Sequence, residues 1–420
     1  MTDPERDGTA TAVPRSDLYR RVWRWHFYAG LLSIPVIVLL CLTGIVYLFR
    51  PQLDDLVYGN LRNVTPVGAQ VSYQQQLMAV RRAYPGGTVD MVAVPPTPRR
   101  STQFDITTAS GGSESVYVNP YTGRVVGARD NSTSLTQIAL ELHGSLMTAH
   151  FLGTQDWGDR LIEIVAGWSV VLVVSGVYLW WPRGARRRRG LRGVLRPRWR
   201  HRSRRIAWRD VHAVTGVLFG FVTLFFLVTG MMWTGVWGTK YSQVAAKLNA
   251  DYPSTLINGV SSTSLASLPK RGKVPWASST LPVPLSGEQG NPATHGQHHG
   301  FGRISWDART AAPLDAVVAR AQRMGFGTGL TIFMPADETG SFTLSHGFDL
   351  DPTPDISSLD GRTAFLDQYT AAPLADVNQG DYGAMAKVSD YGISLHEGRE
   401  WGLTSQLIML AATLAILISC

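Results

Sequence analysis

Cysteine is almost missing from this 420-residue chain: Cys41 and Cys420 are the only two, and both lie in apolar runs. Disulfides and thiolate-bound zinc are therefore excluded from every polar segment. Nucleotide and protease signatures are missing as well. There is no phosphate loop ending in Gly-Lys-Ser/Thr, no G-x-G-x-x-G turn after a strand and no His-Glu-x-x-His helix. Acidic residues are absent between Arg183 and Arg209, a stretch that holds 13 arginines. This one stretch exceeds the net charge of +8, so the rest of the chain is net negative.

What is present is apolar and unevenly spread. Apolar residues make up 45% of the chain, and they gather into runs near the roughly 20 residues that a helix needs to cross a bilayer. The runs are 25–49, 161–181, 211–237 and 403–420. Arginine excess marks short cytoplasmic loops, and the position of the arginines between two spans favours topology over nucleic acid or anionic lipid as their role. Nucleic acid is discarded. The expected layout is a cytoplasmic tail over 1–24, which contains Arg20, Arg21 and Arg24, and an Arg-rich cytoplasmic loop over 182–210. Segments 50–160 and 238–402 then lie outside. The first span is too long for a signal-peptide core and has no small-residue cleavage pattern after it, so it is expected to stay attached. The expected place is the cytoplasmic membrane, multi-pass, with the N-terminus inside and the lipid bilayer as a partner.

Internal repetition is the strongest pattern. Trp25-His26-Phe27-Tyr28-Ala29-Gly30-Leu31-Leu32 opens the first span, and Val211-His212-Ala213-Val214-Thr215-Gly216-Val217-Leu218 opens the third. Seventeen residues after each histidine stands Thr-Gly, as Thr43-Gly44 and Thr229-Gly230. The polar segments repeat too. Val116-Tyr117-Val118-Asn119-Pro120-Tyr121-Thr122-Gly123 reads as a strand entering a turn, and Ala364 to Thr370 has the same shape. Each is followed by Leu-His (Leu142-His143, Leu395-His396), then by Trp-Gly (Trp157-Gly158, Trp401-Gly402), then by a span. The chain thus reads as two copies of span, outer segment, histidine, span. Ser419 falls at the position of Ser175, so the fourth span is expected to be cut short, with its last turns and basic anchor beyond Cys420.

Leu142-His143-Gly144, Trp157-Gly158-Asp159-Arg160-Leu161-Ile162-Glu163 and Gly176-Val177-Tyr178-Leu179-Trp180-Trp181-Pro182 together resemble the PepSY-associated transmembrane family of iron-regulated membrane proteins. The resemblance runs from about Tyr19 to the end. It implies an α-helical membrane protein with α+β outer domains: four transmembrane helices in two repeats, each carrying a PepSY-like extracytoplasmic domain. For one branch of the family it further implies a ferric-siderophore reductase that binds b-type haem and moves electrons across the membrane.

The histidines point the same way. An ionisable ring inside or at the mouth of a span must find a partner. His26 and His212 share one depth, near the inner ends of their spans, and His143 and His396 share another near the outer face. Two histidines on facing helices can ligate haem iron axially with no open site, which suits electron transfer. Two haems b are expected, one per pair. Gly30, Gly44, Gly216 and Gly230 leave room either for a macrocycle or for ordinary helix packing. His150, seven residues after His143, is the alternative outer ligand; on a continuous helix the two share a face about 10.5 Å apart. The segment after Met147 is longer than the family pattern, while Leu-His-Gly favours His143. His295, His298 and His299 form a tract of metal-binding composition in a Gly, Pro and Ser-rich stretch. A flexible loop with incidental histidines is the competing reading. His201 and His346 are not promoted. Trp180, Trp181, Trp233 and Trp237 read as interfacial anchors. Glu163 either carries a proton or sits in a wet interface, and the interface is favoured.

Two functions compete. One is a haem electron-transfer protein that takes electrons from a cytoplasmic or quinol donor and reduces Fe(III), siderophore-bound or otherwise, outside. The other is a non-enzymatic sensor or scaffold that binds a protease or peptide, which gives four aligned histidines no task. A transporter is the weaker third, without broken helices or a midplane charge.

Overall fold

The computed structural model describes residues 17–154, 156–181, 203–251, 260–264, 282–286, 311–327, 329–336, 340–346 and 361–420. In chain order, the first half contains α1 (Asp17–Leu48), α2 (Arg50–Arg62), α3 (Tyr73–Ala83), β1 (Thr88–Ala93), β2 (Thr102–Thr107), β3 (Ser113–Val118), β4 (Val125–Asp130), α4 (Leu135–Ser145), α5 (Thr148–Leu152) and α6 (Asp156–Trp180). The second contains α7 (Arg204–Met231), α8 (Gly235–Lys247), β5 (Val260–Ser264), β6 (Pro282–Pro284), α9 (Leu314–Arg323), β7 (Leu330–Phe333), β8 (Ser341–His346), β9 (Arg362–Asp367), β10 (Pro373–Asn378), α10 (Ala384–His396) and α11 (Leu403–Ser419).

Among the described residues, α1, α6 and α7 are long and apolar enough to cross a membrane; α11 is apolar but has 17 residues. The third apolar run is not one helix. It ends as α7 at Met231, and a new helix starts at Gly235 after Thr234 takes an extended backbone with φ −87° and ψ 158°. Apolar composition hides this break, because hydropathy measures burial in lipid and not backbone direction.

The chain divides into two compact units. The helical unit comprises the described residues up to Cys41, Ile164–Leu227 and Leu414–Cys420; the sheet unit comprises Leu42–Glu163 and Val228–Thr413.

The sheet unit is built on eight antiparallel strands in the order β10-β9-β8-β7-β1-β2-β3-β4. Each outer segment was expected to form its own domain, yet both strand sets join in this one sheet. Met91 pairs with Phe333, Val92 with Ile332 and Ala93 with Thr331. Two separate four-stranded sheets leave two inner edges with unpaired N–H and C=O groups, and pairing β1 with β7 satisfies them. Alternation along the strands puts Val92, Phe104, Val116, Ile332, Phe342, Leu344 and Leu366 on one face. They form a common core with Leu77 and Val80 of α3 and with Leu314, Val317 and Val318 of α9. The two helices also cap each other. Asp315 accepts the Tyr73 and Gln74 N–H groups at 2.8 and 3.0 Å, and Gln74 Oε1 accepts the Leu314 N–H at 3.0 Å. A carboxylate at a helix N-terminus offsets the dipole and satisfies otherwise unpaired donors.

The paired strand-turns have one chemistry. Asn119 Oδ1 accepts the Tyr121 N–H at 2.9 Å, and Asp367 Oδ1 accepts the Tyr369 N–H at the same distance. Both are Asx turns, which reverse the chain after β3 and β9. On the other face of the sheet, Asp54 of α2 takes hydrogen bonds from Arg129 of β4 at 3.2 Å and from Thr136 of α4 at 3.0 Å.

Candidate functional site

Four of the sequence-predicted histidines meet in two pairs. In the helical unit, the rings of His26 on α1 and His212 on α7 stand 6.1 Å apart between centres, with planes at 72°. His26 Nδ1 lies 2.8 Å from Ser175 Oγ on α6. His212 Nδ1 bonds the backbone carbonyl of Ser419 on α11. A carbonyl only accepts, so this nitrogen carries the proton and fixes the tautomer of His212. Ser419 Oγ in turn donates to Thr215 Oγ1 at 3.0 Å.

The second pair belongs to the sheet unit. His143 lies in the last turn of α4 and His396 closes α10. Their ring centres are 6.5 Å apart, with planes at 87°. His143 Nδ1 is 3.1 Å from Thr43 Oγ1, and His396 Nδ1 is 2.8 Å from Thr229 Oγ1. The residue after each threonine is a glycine beside the same ring. A Cβ at Gly44 would meet His143 Cε1 at 3.2 Å, and one at Gly230 would meet His396 Cε1 at 3.4 Å. The repeated Thr-Gly is therefore a clasp, with a hydroxyl to orient the imidazole and no side chain to crowd it. Gly30 faces Leu172 instead, and at Gly216 a Cβ would meet nothing within 4 Å.

Local structure separates His143 from His150. Leu146 and Met147 both take left-handed φ, 52° and 53°, which ends α4 and starts the short α5. The expected shared helical face does not exist. His150 lies on α5, and its side chain falls outside the described residues. The junction is held by Gly158, where a Cβ would fall 1.7 Å from the Ser145 carbonyl oxygen; only glycine lets α6 start against the end of α4.

Other expected residues are elsewhere. His295, His298 and His299, His201 and the arginines from Arg183 to Arg202 lie outside the described residues. Glu163 is not in a wet interface: it is 8% exposed and accepts from Thr234 Oγ1 at 3.1 Å and from the Trp237 N–H at 2.6 Å. Among the described residues no group of three or more His, Cys, Asp or Glu side chains converges on a metal position, so the histidine nitrogens described here come two at a time. Thr43, Thr229, Ser175 and Ser419 contact the histidine rings, and sequence alone assigned them no role. Their signal was there, in the Thr-Gly register and the Ser175–Ser419 equivalence.

Helices long and apolar enough to span a membrane, an antiparallel sheet, and one pair of histidines in each unit describe a membrane protein with polar sites. The family model of the PepSY-associated TM region matches residues 23–420, and the chain belongs to that family. No curated protein matches the chain.

Proposed function

We propose that this chain is a transmembrane electron-transfer protein that holds two haems b, one between His26 and His212 and one between His143 and His396. The observation that carries this reading is the state of the four Nδ1 atoms: each is engaged by a hydroxyl or carbonyl oxygen. Metal-binding histidines are usually fixed in this way through the second nitrogen, which leaves Nε2 to meet the metal. The ring separations agree. Two imidazoles that shared one metal ion through bonds of about 2 Å would have ring centres about 6.2 Å apart. The observed 6.1 and 6.5 Å bracket that value. An edge-on aromatic contact has a similar spacing, but it needs no oxygen at Nδ1.

Bound haem would supply a one-electron couple, held by the four histidines. The chain's own residues orient and hold: Ser175 and Ser419 set the His26–His212 pair, and Thr43 and Thr229 set the other. The arrangement proposed around them has four spans in two repeats, the N-terminus in the cytoplasm, and both PepSY-like halves outside the cytoplasmic membrane. Electrons enter from a cytoplasmic reductase or quinol. The acceptor is ferric iron, free or siderophore-bound, which oxygen ligands release more readily once reduced to Fe(II).

The test is the reduced-minus-oxidised spectrum of the purified protein, with haem counted per chain, for the wild type, His26→Ala and His396→Ala. Low-spin b-type bands from two haems, with one lost in each variant, support the proposal. Colourless protein from haem-replete cells overturns it and leaves a sensor or scaffold that binds a protease or peptide.

A further inference from the structure

Glu163 and Gln406 are buried polar side chains that the electron-transfer reading does not use, and they stand one position apart in the register that aligns Trp157 with Trp401 and Ser175 with Ser419. Each helix that clasps a histidine ends within five residues of its threonine and gives way to another helix. α7 carries Thr229, ends at Met231 and is followed by α8 from Gly235; α1 carries Thr43, ends at Leu48 and is followed by α2 from Arg50. Each of these joints is held by a side chain from the other half of the chain.

At the α7–α8 joint the brace is acidic. Glu163 on α6 accepts from Thr234 Oγ1 and from the Trp237 N–H, and Asp159, one turn earlier, accepts the Gly235 N–H at 2.8 Å. The Trp237 and Gly235 N–H groups belong to the first turn of α8 and have no partner inside the helix; the Thr234 hydroxyl is shared with the Met231 carbonyl at 2.8 Å. Arg160 stands 3.5 Å from the second Glu163 oxygen. At the α1–α2 joint the brace is an amide. Gln406 on α11 is 3% exposed, donates to the Leu48 carbonyl at 2.9 Å and accepts from Gln52 at 2.8 Å. The Leu48 carbonyl belongs to the last turn of α1, where carbonyls likewise lack helical partners.

We propose that Glu163 and Gln406 are positioning residues for the outer histidines, the last helix of each half fixing the joint that aims the other half's threonine at its imidazole. The clasp has little slack. A Cβ at Gly392, one turn before His396, would come within 3.0 Å of Thr229 Cγ2, so Thr229 and α10 already fit closely. A small shift of the joint moves the hydroxyl out of reach of Nδ1. The pairing of His143 with His396 as a working site is taken from the proposed function; the brace itself is separate and can be read without haem.

The experiment compares purified wild type with E163A, E163Q and Q406A by amide hydrogen exchange, haem count and low-spin EPR signals. E163A is expected to speed exchange over 393–397 by about tenfold, on the order of one lost hydrogen bond to a charged group. It also removes one low-spin signal and leaves that of His26 and His212. E163Q keeps an oxygen for both donors and restores both readouts. Q406A has the matching effect on exchange over 142–145. If E163A does not accumulate, Q406A alone decides in the same way at His143. Unchanged exchange at both histidines overturns the proposal. Wild type without haem overturns the electron-transfer function only, and exchange still decides whether the brace holds.

Discussion

His396 Nδ1 rests 2.8 Å from Thr229 Oγ1, a bond that ties the last residue of α10 to the last turn of α7. His143 and Thr43 repeat it at 3.1 Å. Loss of such a partner typically lowers metal affinity 10- to 100-fold. Under the proposed function, Thr229→Val and Thr43→Val are each expected to weaken haem binding at the His143–His396 pair by about that factor. Haemin titration of the apo-protein checks this, with Thr229→Ser retaining wild-type affinity because the hydroxyl stays.

Gly44 and Gly216 give opposite expectations for one change. Gly→Ala within a helix gains about 0.5–1 kcal/mol from backbone entropy when there is space. Gly216 has open space, so Gly216→Ala raises thermal stability slightly. At Gly44 the new methyl lies 3.2 Å from His143 Cε1 and must displace the ring. Gly44→Ala is expected to lower stability and, under the proposed function, to perturb only the low-spin signal of the His143–His396 pair. Equal melting temperatures for the two variants contradict this.

Asp390 on α10 makes the sheet unit sensitive to pH. Burial pushes its carboxyl up to about 6, with Glu400 and Glu397 adding to the rise and Arg399 opposing it. Between the ordinary 3.8 and about 6 the folded state keeps a proton that the unfolded chain has released. Stability therefore falls as pH rises through that window and levels off above it, by up to about 3 kcal/mol. Asp390→Asn flattens the slope and raises the melting temperature at pH 7.5. Melting curves from pH 4 to 8 in detergent make the comparison.

The shared core predicts that the two strand sets unfold together. Phe104 and Phe342 come from different halves, both are fully buried, and both belong to one cluster. Phe104→Ala and Phe342→Ala should each cost about 3–5 kcal/mol. In either variant, exchange should rise across β1–β4 and β7–β10 alike. A rise confined to the mutated half shows two independent domains.

The histidine pairs were legible because four rings in matching register have few structural explanations. The strand-turns were legible too, since Asn119 and Asp367 do local chemistry that short sequence encodes. Thr43 and Thr229 were visible as a repeat, but their role was not: a hydroxyl gains meaning only when a distant histidine arrives beside it. The β1–β7 pairing had no local signal, because alternation sets which face of a strand is buried and does not say which edge it joins. Likewise nothing in their side chains marks Leu146 and Met147 for left-handed backbone, and the break that separates His143 from His150 went unforeseen.

Met91 cannot pair with Phe333 until the ribosome has passed β7, more than halfway through the second half of the chain. At about 5–20 residues per second, β1 waits some tens of seconds with one bare edge. A bare strand edge invites pairing with other chains. Biogenesis of this protein thus includes a half-finished sheet that needs shielding, by a chaperone or by the speed of synthesis. Substitutions that slow insertion of α7 should reduce yield by aggregation while leaving the finished protein unchanged.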